Sequence, residues 1–368
     1  MSLNMFGLIP HNKPTIGDEE IKSVVESLSN LELTAGTKIK KFESDFSRYL
    51  GRSSVAVSSG TSALHLALIA LGISENDEVI LPAYTCVTVS LPVLYQRAKP
   101  VLADVNDDFN ISVEDIKNKI TDKTKVIIVP HMFGYPADMD EIRELCTEKD
   151  LFLIEDCCQS IGAEYKKNKV GSIGDISIFS FYTTKVITSI QGGMVCSSNP
   201  EWNSTIKELR EPDQFRSMEE ELDDRLKYRY AMSDIEAAVG IVQLKKLNDF
   251  INRRRKIASI YRSVLADTVK SPVDHPNKKH IYSRYVVKTP YKSSEVIEEL
   301  KKHNIMCTVM HAPPLHKRSI LNKYNTNQKF IKADEIVNSS ISLPIYVSLS
   351  DEEVIYVADT LNTILGEI

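Results

Sequence analysis

An α/β domain built on a mostly parallel, seven-stranded sheet flanked by helices, followed by a smaller α+β domain, is the fold class this sequence predicts. Three observations carry the prediction. Between about residues 54 and 196, short apolar runs alternate with amphipathic stretches, the pattern of βαβ units. After Ser233 the apolar period becomes that of one long helix, and beyond it only shorter strand and helix signals recur. The chain's 368 residues exceed the size at which a single core usually keeps growing, so two domains are expected, residues 1–240 and 241–368, bridged by a helix over about 233–268.

Taken in order, Ser54-Val55-Ala56-Val57 predicts the first strand, and apolar residues at helical spacing over 63–71 predict the helix after it. Glu78-Val79-Ile80-Leu81 and Lys99-Pro100-Val101-Leu102-Ala103 read as the second and third strands. Lys125-Val126-Ile127-Ile128-Val129 is the fourth, followed by a helix over 139–149. Leu151-Phe152-Leu153-Ile154 makes the fifth, running into Glu155 and Asp156, and the runs at 176–181 and 194–196 complete seven. Such short, mostly apolar runs suit buried strands of a parallel sheet. In the long helix, Ile235, Ala238, Val239, Ile241, Val242, Leu244, Leu247 and Ile251 recur at helical spacing. A strand over 282–287, a helix over 293–303 and a closing helix over 351–365 fill the smaller domain.

Hydrophobic content of 42% with 26% charged residues is ordinary for a globular protein. A net charge of −5 gives no electrostatic reason to expect nucleic acid or an anionic membrane as partner. The one basic run, Arg253-Arg254-Arg255-Lys256, is expected to be a solvated helix face. No stretch approaches the roughly 20 apolar residues of a membrane span, and no secretory pattern opens the chain, so a cytoplasmic location is expected. Cys86, Cys146, Cys157, Cys158, Cys196 and Cys307 are too scattered for a disulfide framework or a zinc site, and no metal is expected.

Chemistry enters with Asp156 at one strand end and Lys185, which closes the run Phe179-Ser180-Phe181-Tyr182-Thr183-Thr184-Lys185 ahead of Gly192-Gly193. An acid and a lysine so placed suggest one cleft. They are what a pyridoxal phosphate enzyme needs: a lysine to hold the aldehyde as a Schiff base and a carboxylate to keep the pyridine nitrogen protonated. Each has a plainer reading, a surface charge for the lysine and a metal ligand or helix cap for the acid. Ser59-Gly60-Thr61-Ser62 opens the first long helix, where backbone N–H groups and the Thr61 and Ser62 hydroxyls suit a phosphate; an ordinary N-cap explains the stretch as well. By spacing, Gln159 is assigned to the ring and the Ser180 hydroxyl to the phosphate.

These motifs resemble the DegT/StrS-type sugar aminotransferases, fold type I pyridoxal phosphate enzymes of nucleotide-sugar metabolism. The resemblance rests on Ser59-Gly60-Thr61-Ser62-Ala63-Leu64, on residues 77–85 and 131–140, on Glu155-Asp156-Cys157-Cys158-Gln159-Ser160-Ile161-Gly162-Ala163, and on Ser180-Phe181-Tyr182-Thr183-Thr184-Lys185. It extends to Met232-Ser233-Asp234-Ile235-Glu236-Ala237-Ala238 and Pro314-Leu315-His316. It implies that Lys185 is the Schiff-base lysine, Asp156 the pyridine partner, Gln159 a ring contact, and Gly60, Thr61 and Ser180 phosphate ligands. It implies a homodimer with active sites between subunits, glutamate as amino donor and a nucleotide-linked keto-sugar as acceptor. Two departures stand out. Cys86 occupies the place where the family often stacks an aromatic residue on the ring, with Tyr84 two residues before it, and Arg229-Tyr230-Ala231 replaces an Asn-Tyr-Arg sequence that reaches the neighbouring subunit's phosphate. Arg229 is expected to reach that phosphate, since a guanidinium suits the anion.

His311, His316 and Tyr84 are expected on the substrate side, His131 either in the cleft or packed, and Arg284 either at the donor's carboxylate or on the surface. Cys307 raises a cysteine desulfurase as an alternative, but a cysteine between Met306 and Thr308 in a β-like run reads as a small hydrophobe. A sugar dehydratase of the same fold would carry histidine in place of Lys185. A non-catalytic regulator has no need of the Asp156, Gln159 and Lys185 set.

Overall fold

The computed structural model describes residues 7–34, 36–211, 226–324 and 328–367. Helices α1 (Asp18–Ser29) and α2 (Thr37–Leu50) precede the sheet. α2 buries Ile39, Phe42, Phe46 and Leu50 along one stripe and stops at Gly51, whose φ of 81° is left-handed. Five strands follow, β1 (Ser53–Val57), β2 (Glu78–Pro82), β3 (Lys99–Ala103), β4 (Thr124–Pro130) and β5 (Phe152–Asp156). Their crossovers carry α3 (Gly60–Ala70), α4 (Leu91–Tyr95), α5 (Val113–Lys119) and α6 (Met139–Glu148). A two-residue hairpin, β6 (Glu164–Tyr165) and β7 (Asn168–Lys169), leads to β8 (Ile176–Ser180), β9 (Gly193–Ser197) and α7 (Pro200–Arg210).

The seven-stranded sheet has the order β1-β9-β8-β5-β4-β2-β3, parallel except for β9, which runs against both its neighbours. Its strands alternate sides: Val55 and Val57 face α3, while Ala56 joins Phe42, Phe46, Phe179, Phe181 and Met194 under α2. Gly193 pairs with both Val57 and Ser180, and Asp156 pairs with Ile178. The carboxyl ends of β1, β5 and β8 and the start of β9 therefore meet at one edge, where ligands of open α/β sheets bind.

Helix α8 (Asp234–Val264) has 31 residues and starts at a capping box between Ser233 and Glu236. At 1.5 Å per residue it is about 46 Å long. Its first half packs Ala237, Ile241, Leu247, Phe250 and Ile251 against the sheet. Its second half, through Ile257, Ala258 and Tyr261, belongs to a separate core. That core includes β11 (Tyr285–Lys288), which follows the short β10 (Lys278–Lys279), then α9 (Ser293–Lys302), β12 (Ser340–Leu343) after α10 (Ile331–Ser339), and α11 (Asp351–Glu367).

Two expectations need correction. The strand expected over 282–287 begins only at Tyr285, because Tyr282 has a φ of 52° and Arg254 takes the carbonyls of Tyr282 and Ser283 at 3.2 and 3.4 Å. The basic run is likewise not a solvated face. Arg254 is 2% exposed and also donates to the Ile345 carbonyl at 3.1 Å, Arg253 pairs with Asp351 at 2.5 Å, and Arg255 donates to the His280 carbonyl at 3.0 Å. The run ties the long helix to the smaller core. All six cysteines are free, and among the described residues no helix is long and apolar enough to cross a membrane.

Candidate active site

Where the strand ends meet, a cleft of about 430 Å³ opens, lined by Gly60, Thr61, Cys86, Asp156, Gln159, Ser180, Lys185 and His311 among others. Its floor starts at the first turn of α3. There Ser59 and Ser62 close a capping box: the Ser59 hydroxyl accepts the Ser62 N–H at 3.0 Å, and the Ser62 hydroxyl accepts the Ser59 N–H at 2.8 Å. Ala63 begins the helical ladder by donating to the Ser59 carbonyl at 3.0 Å. The N–H groups of Gly60 and Thr61 are left as the uncommitted donors of that terminus. A Cβ at Gly60 would lie 2.9 Å from both Cys158 Sγ and Ser180 Cβ, so the notch exists because position 60 has no side chain.

Asp156, 6% exposed at the end of β5, accepts the Cys158 N–H at 3.0 Å. Lys185 sits in a turn closed by its N–H on the Tyr182 carbonyl at 2.9 Å and is half-buried. Gln159 faces His311, Nε2 to Nε2 at 3.3 Å, so the amide donates and the imidazole accepts. His311 stacks on Phe133 at 5.9 Å. Burial first, then the Lys185 and Arg284 charges, pulls its pKa to about 3, so the ring is neutral. Cys86 is half-buried in the wall and accepts the Thr88 hydroxyl at 3.0 Å.

Other sequence candidates lie outside the lining. Ser62 is 4% exposed and committed to its cap. Tyr84 is fully enclosed; its hydroxyl donates to the Met310 carbonyl at 2.9 Å, supporting the loop that presents His311. His316 bonds Asp334 at 3.0 Å and packs on Phe330. Arg229 is exposed and does not line this cleft. His131 is buried; its Nδ1 accepts the Ala137 N–H at 3.1 Å, which puts its proton on Nε2, 3.2 Å from Glu155. Burial alone would raise the pKa of Glu155, but His131 and the N–H groups of Gly174 and Gly171 outweigh it and hold the carboxyl low. That cluster shapes the 171–174 loop. Cys307 is packed in the smaller core, where burial pushes its thiol up.

The structure adds Cys158 and Ser283 to the lining, and it places Arg284 there and not on the surface. Cys158 carried a signal in its position two residues after Asp156. Arg284 carried none that separates it from a surface charge, because the irregular backbone that turns it inward depends on Arg254.

A model of the DegT/DnrJ/EryC1/StrS aminotransferase family matches residues 14–362. Over 360 residues the chain is 36% identical to the GDP-perosamine synthase of Escherichia coli O157:H7, covering 96% of this chain and 98% of that protein. Among solved structures, the aminotransferase TlmJ of Streptoalloteichus hindustanus superposes with a TM-score of 0.93 at 28% identity, covering 98% of this chain and 100% of that one. A Streptococcus pneumoniae protein assigned as a sugar aminotransferase, in its PMP form, has a TM-score of 0.92 at 28% identity and covers 98% of both chains.

Proposed function

The chain belongs to the DegT/DnrJ/EryC1/StrS aminotransferase family, and from that premise we propose that its cleft moves an amino group from glutamate to a nucleotide-linked keto-sugar in two ping-pong half-reactions. The observation that carries the reading is the convergence of Asp156, Ser180, Lys185 and the Gly60 notch on one cleft. These residues fit pyridoxal phosphate, the cofactor of this family. Gly60, Thr61 and Ser180 would hold its phosphate, Asp156 its pyridine nitrogen, Gln159 and Cys86 its ring, and Lys185 its aldehyde carbon. When bound, the cofactor supplies an electrophilic carbon for amines and an electron-withdrawing ring.

Within that arrangement Asp156 keeps a proton on the ring nitrogen by charge pairing. The Lys185 amine, once free, would take the proton from the substrate carbon and deliver it to the cofactor's C4′ carbon, which requires its neutral form. His311, neutral and held by Gln159, orients groups rather than donating charge. Replacing Lys185 by Ala is expected to abolish the visible absorbance of the lysine-bound cofactor and to lower turnover by roughly 10²–10⁴ or more. An unchanged spectrum would sink the lysine assignment.

We also propose a homodimer with its active sites between subunits. Support comes from the rim, where Tyr182 lines the cleft yet is 47% exposed and Ile190 is 47% exposed nearby. Arg229 is exposed and does not line its own cleft, and in this reading its guanidinium serves the phosphate of a second copy. The similarity to a GDP-perosamine synthase makes a GDP-linked keto-sugar the first acceptor to test. Pyridoxamine-form enzyme mixed with GDP-, UDP- and dTDP-linked keto-sugars should regain the visible band with one of them. No recovery with any would overturn the acceptor class.

A further inference from the structure

We infer that Arg284 anchors the carboxylate of the amino donor. The inference rests on the aminotransferase reading above and deepens it. Arg284 reaches the cleft through backbone that is not part of any strand. Arg254, from the middle of α8, holds the carbonyls of Tyr282, Ser283 and Ile345, and this clamp places Arg284 against the lysine turn. One Nη then donates to the Thr184 carbonyl at 3.1 Å, immediately before Lys185, and the other to the Ser283 carbonyl at 2.8 Å.

What is missing around Arg284 identifies the ligand. Arg284 is 9% exposed; among the described residues its Nε is buried with no acceptor, and the neighbouring Ser283 hydroxyl is buried with no partner either. Both residues line the cleft. Among the described residues Arg284 hydrogen-bonds only to carbonyls, and burial lowers its pKa to about 10 with no carboxylate among its causes to offset it. A buried cation without a counter-ion is costly, and the cost is relieved by an anion of matching shape. Lys185, the other cation lining the cleft, is the reactive amine of the reading above, and Arg254, behind this wall, is spent on carbonyls.

A carboxylate fits better than a phosphate. A guanidinium fork with a free Nε matches two coplanar oxygens. The phosphate of the cofactor has its own donors at the Gly60 turn. A sugar diphosphate is flanked by bulky groups on both sides, whereas only a small part of Arg284 is open, which a terminal carboxylate can reach. Bound there, the donor's carboxylate would stand beside the Lys185 turn, and the Ser283 hydroxyl would gain an acceptor.

The test separates the two half-reactions of the holoenzyme. In R284Q the glutamate concentration that half-saturates conversion of the pyridoxal form should rise on the order of 10²-fold, while the return half-reaction with the keto-sugar changes by less than about twofold. R284K, which keeps the charge but loses the fork, should show a rise of about tenfold and decides the matter if R284Q does not fold. Glutarate, which has the carboxylates but no amine, provides a readout without turnover: calorimetry should show binding to wild type and loss in both variants. An unchanged donor step, an equal loss in both half-reactions, or glutarate binding that survives R284Q and R284K would overturn the inference. If wild-type enzyme accepts no amine from glutamate at all yet binds glutarate through Arg284, the donor assignment of the proposed function fails and the carboxylate site stands.

Discussion

His280 is enclosed between Tyr135 and Tyr282, 5.4 and 3.9 Å away by ring centroid, and its Nδ1 accepts the Tyr282 N–H at 3.0 Å. Protonation would destroy that acceptor, and burial holds the pKa at about 3 against an ordinary 6.5. The folded value lies below the unfolded one, so the contribution to stability is complete above about pH 6.5 and is lost as pH falls toward 3, by up to about 1.4 kcal/mol per unit. His11 and His311 are lowered by burial in the same sense. Urea unfolding between about pH 7.5 and 5.5 should therefore show stability falling with acid, with the slope reduced by about 1 kcal/mol per pH unit in H280Q. Equal slopes would mean that the folded ring accepts its proton freely. Nothing in the sequence around His280 announces this, since its enclosure is made by residues from separate segments.

α2 depends at its start on a distant residue. Gly36 has no side chain to cap the helix, and the Asp234 carboxylate does so instead, accepting the N–H groups of Gly36, Lys38 and Ile39 at 2.6, 2.9 and 3.0 Å. A Cβ at position 36 would lie 2.8 Å from that carboxylate. D234A should destabilise the protein by about 3 kcal/mol and speed amide exchange in the first turn of α2 before that of α3, which keeps its own Ser59 cap. Exchange accelerating equally in both helices would argue against a local cap. This contrast explains what was legible. The sheet strands announce themselves because each run is mostly apolar, and α3 and α8 carry their caps in sequence as Ser59 and Ser233. The cap of α2 comes from position 234, and the backbone at 282–284 is set by Arg254, so neither could be read locally. The Gly60, Asp156, Gln159, Ser180 and Lys185 set was visible as motifs at strand ends; their common cleft required β9 to reverse direction and bring Gly193 between Val57 and Ser180.

At the scale of the molecule, the proposed sharing of active sites between subunits is tested by complementation. K185A and R229A subunits, each inactive alone, should recover roughly a quarter of wild-type activity when unfolded and refolded together, because half the dimers are mixed and each mixed dimer has one intact site. Sedimentation of the same samples should show dimers throughout, and recovery at the level of the separate variants would assign Arg229 to its own subunit or to the surface. We place the division between the two domains within α8, whose halves enter different cores. That helix has a further consequence. It is capped at Ser233, near the segment where Tyr230 receives the Ser58 N–H at 2.7 Å beside the phosphate turn, and it is riveted at Arg254 to the segment that carries Arg284. A single unbroken rod thus works as a caliper with its jaws at Gly60 and Arg284. If the donor is held at Arg284 as proposed, the distance from it to the Gly60 turn is set by this rod, and a change of donor preference would have to come from refitting the two ends, not from flexing the helix.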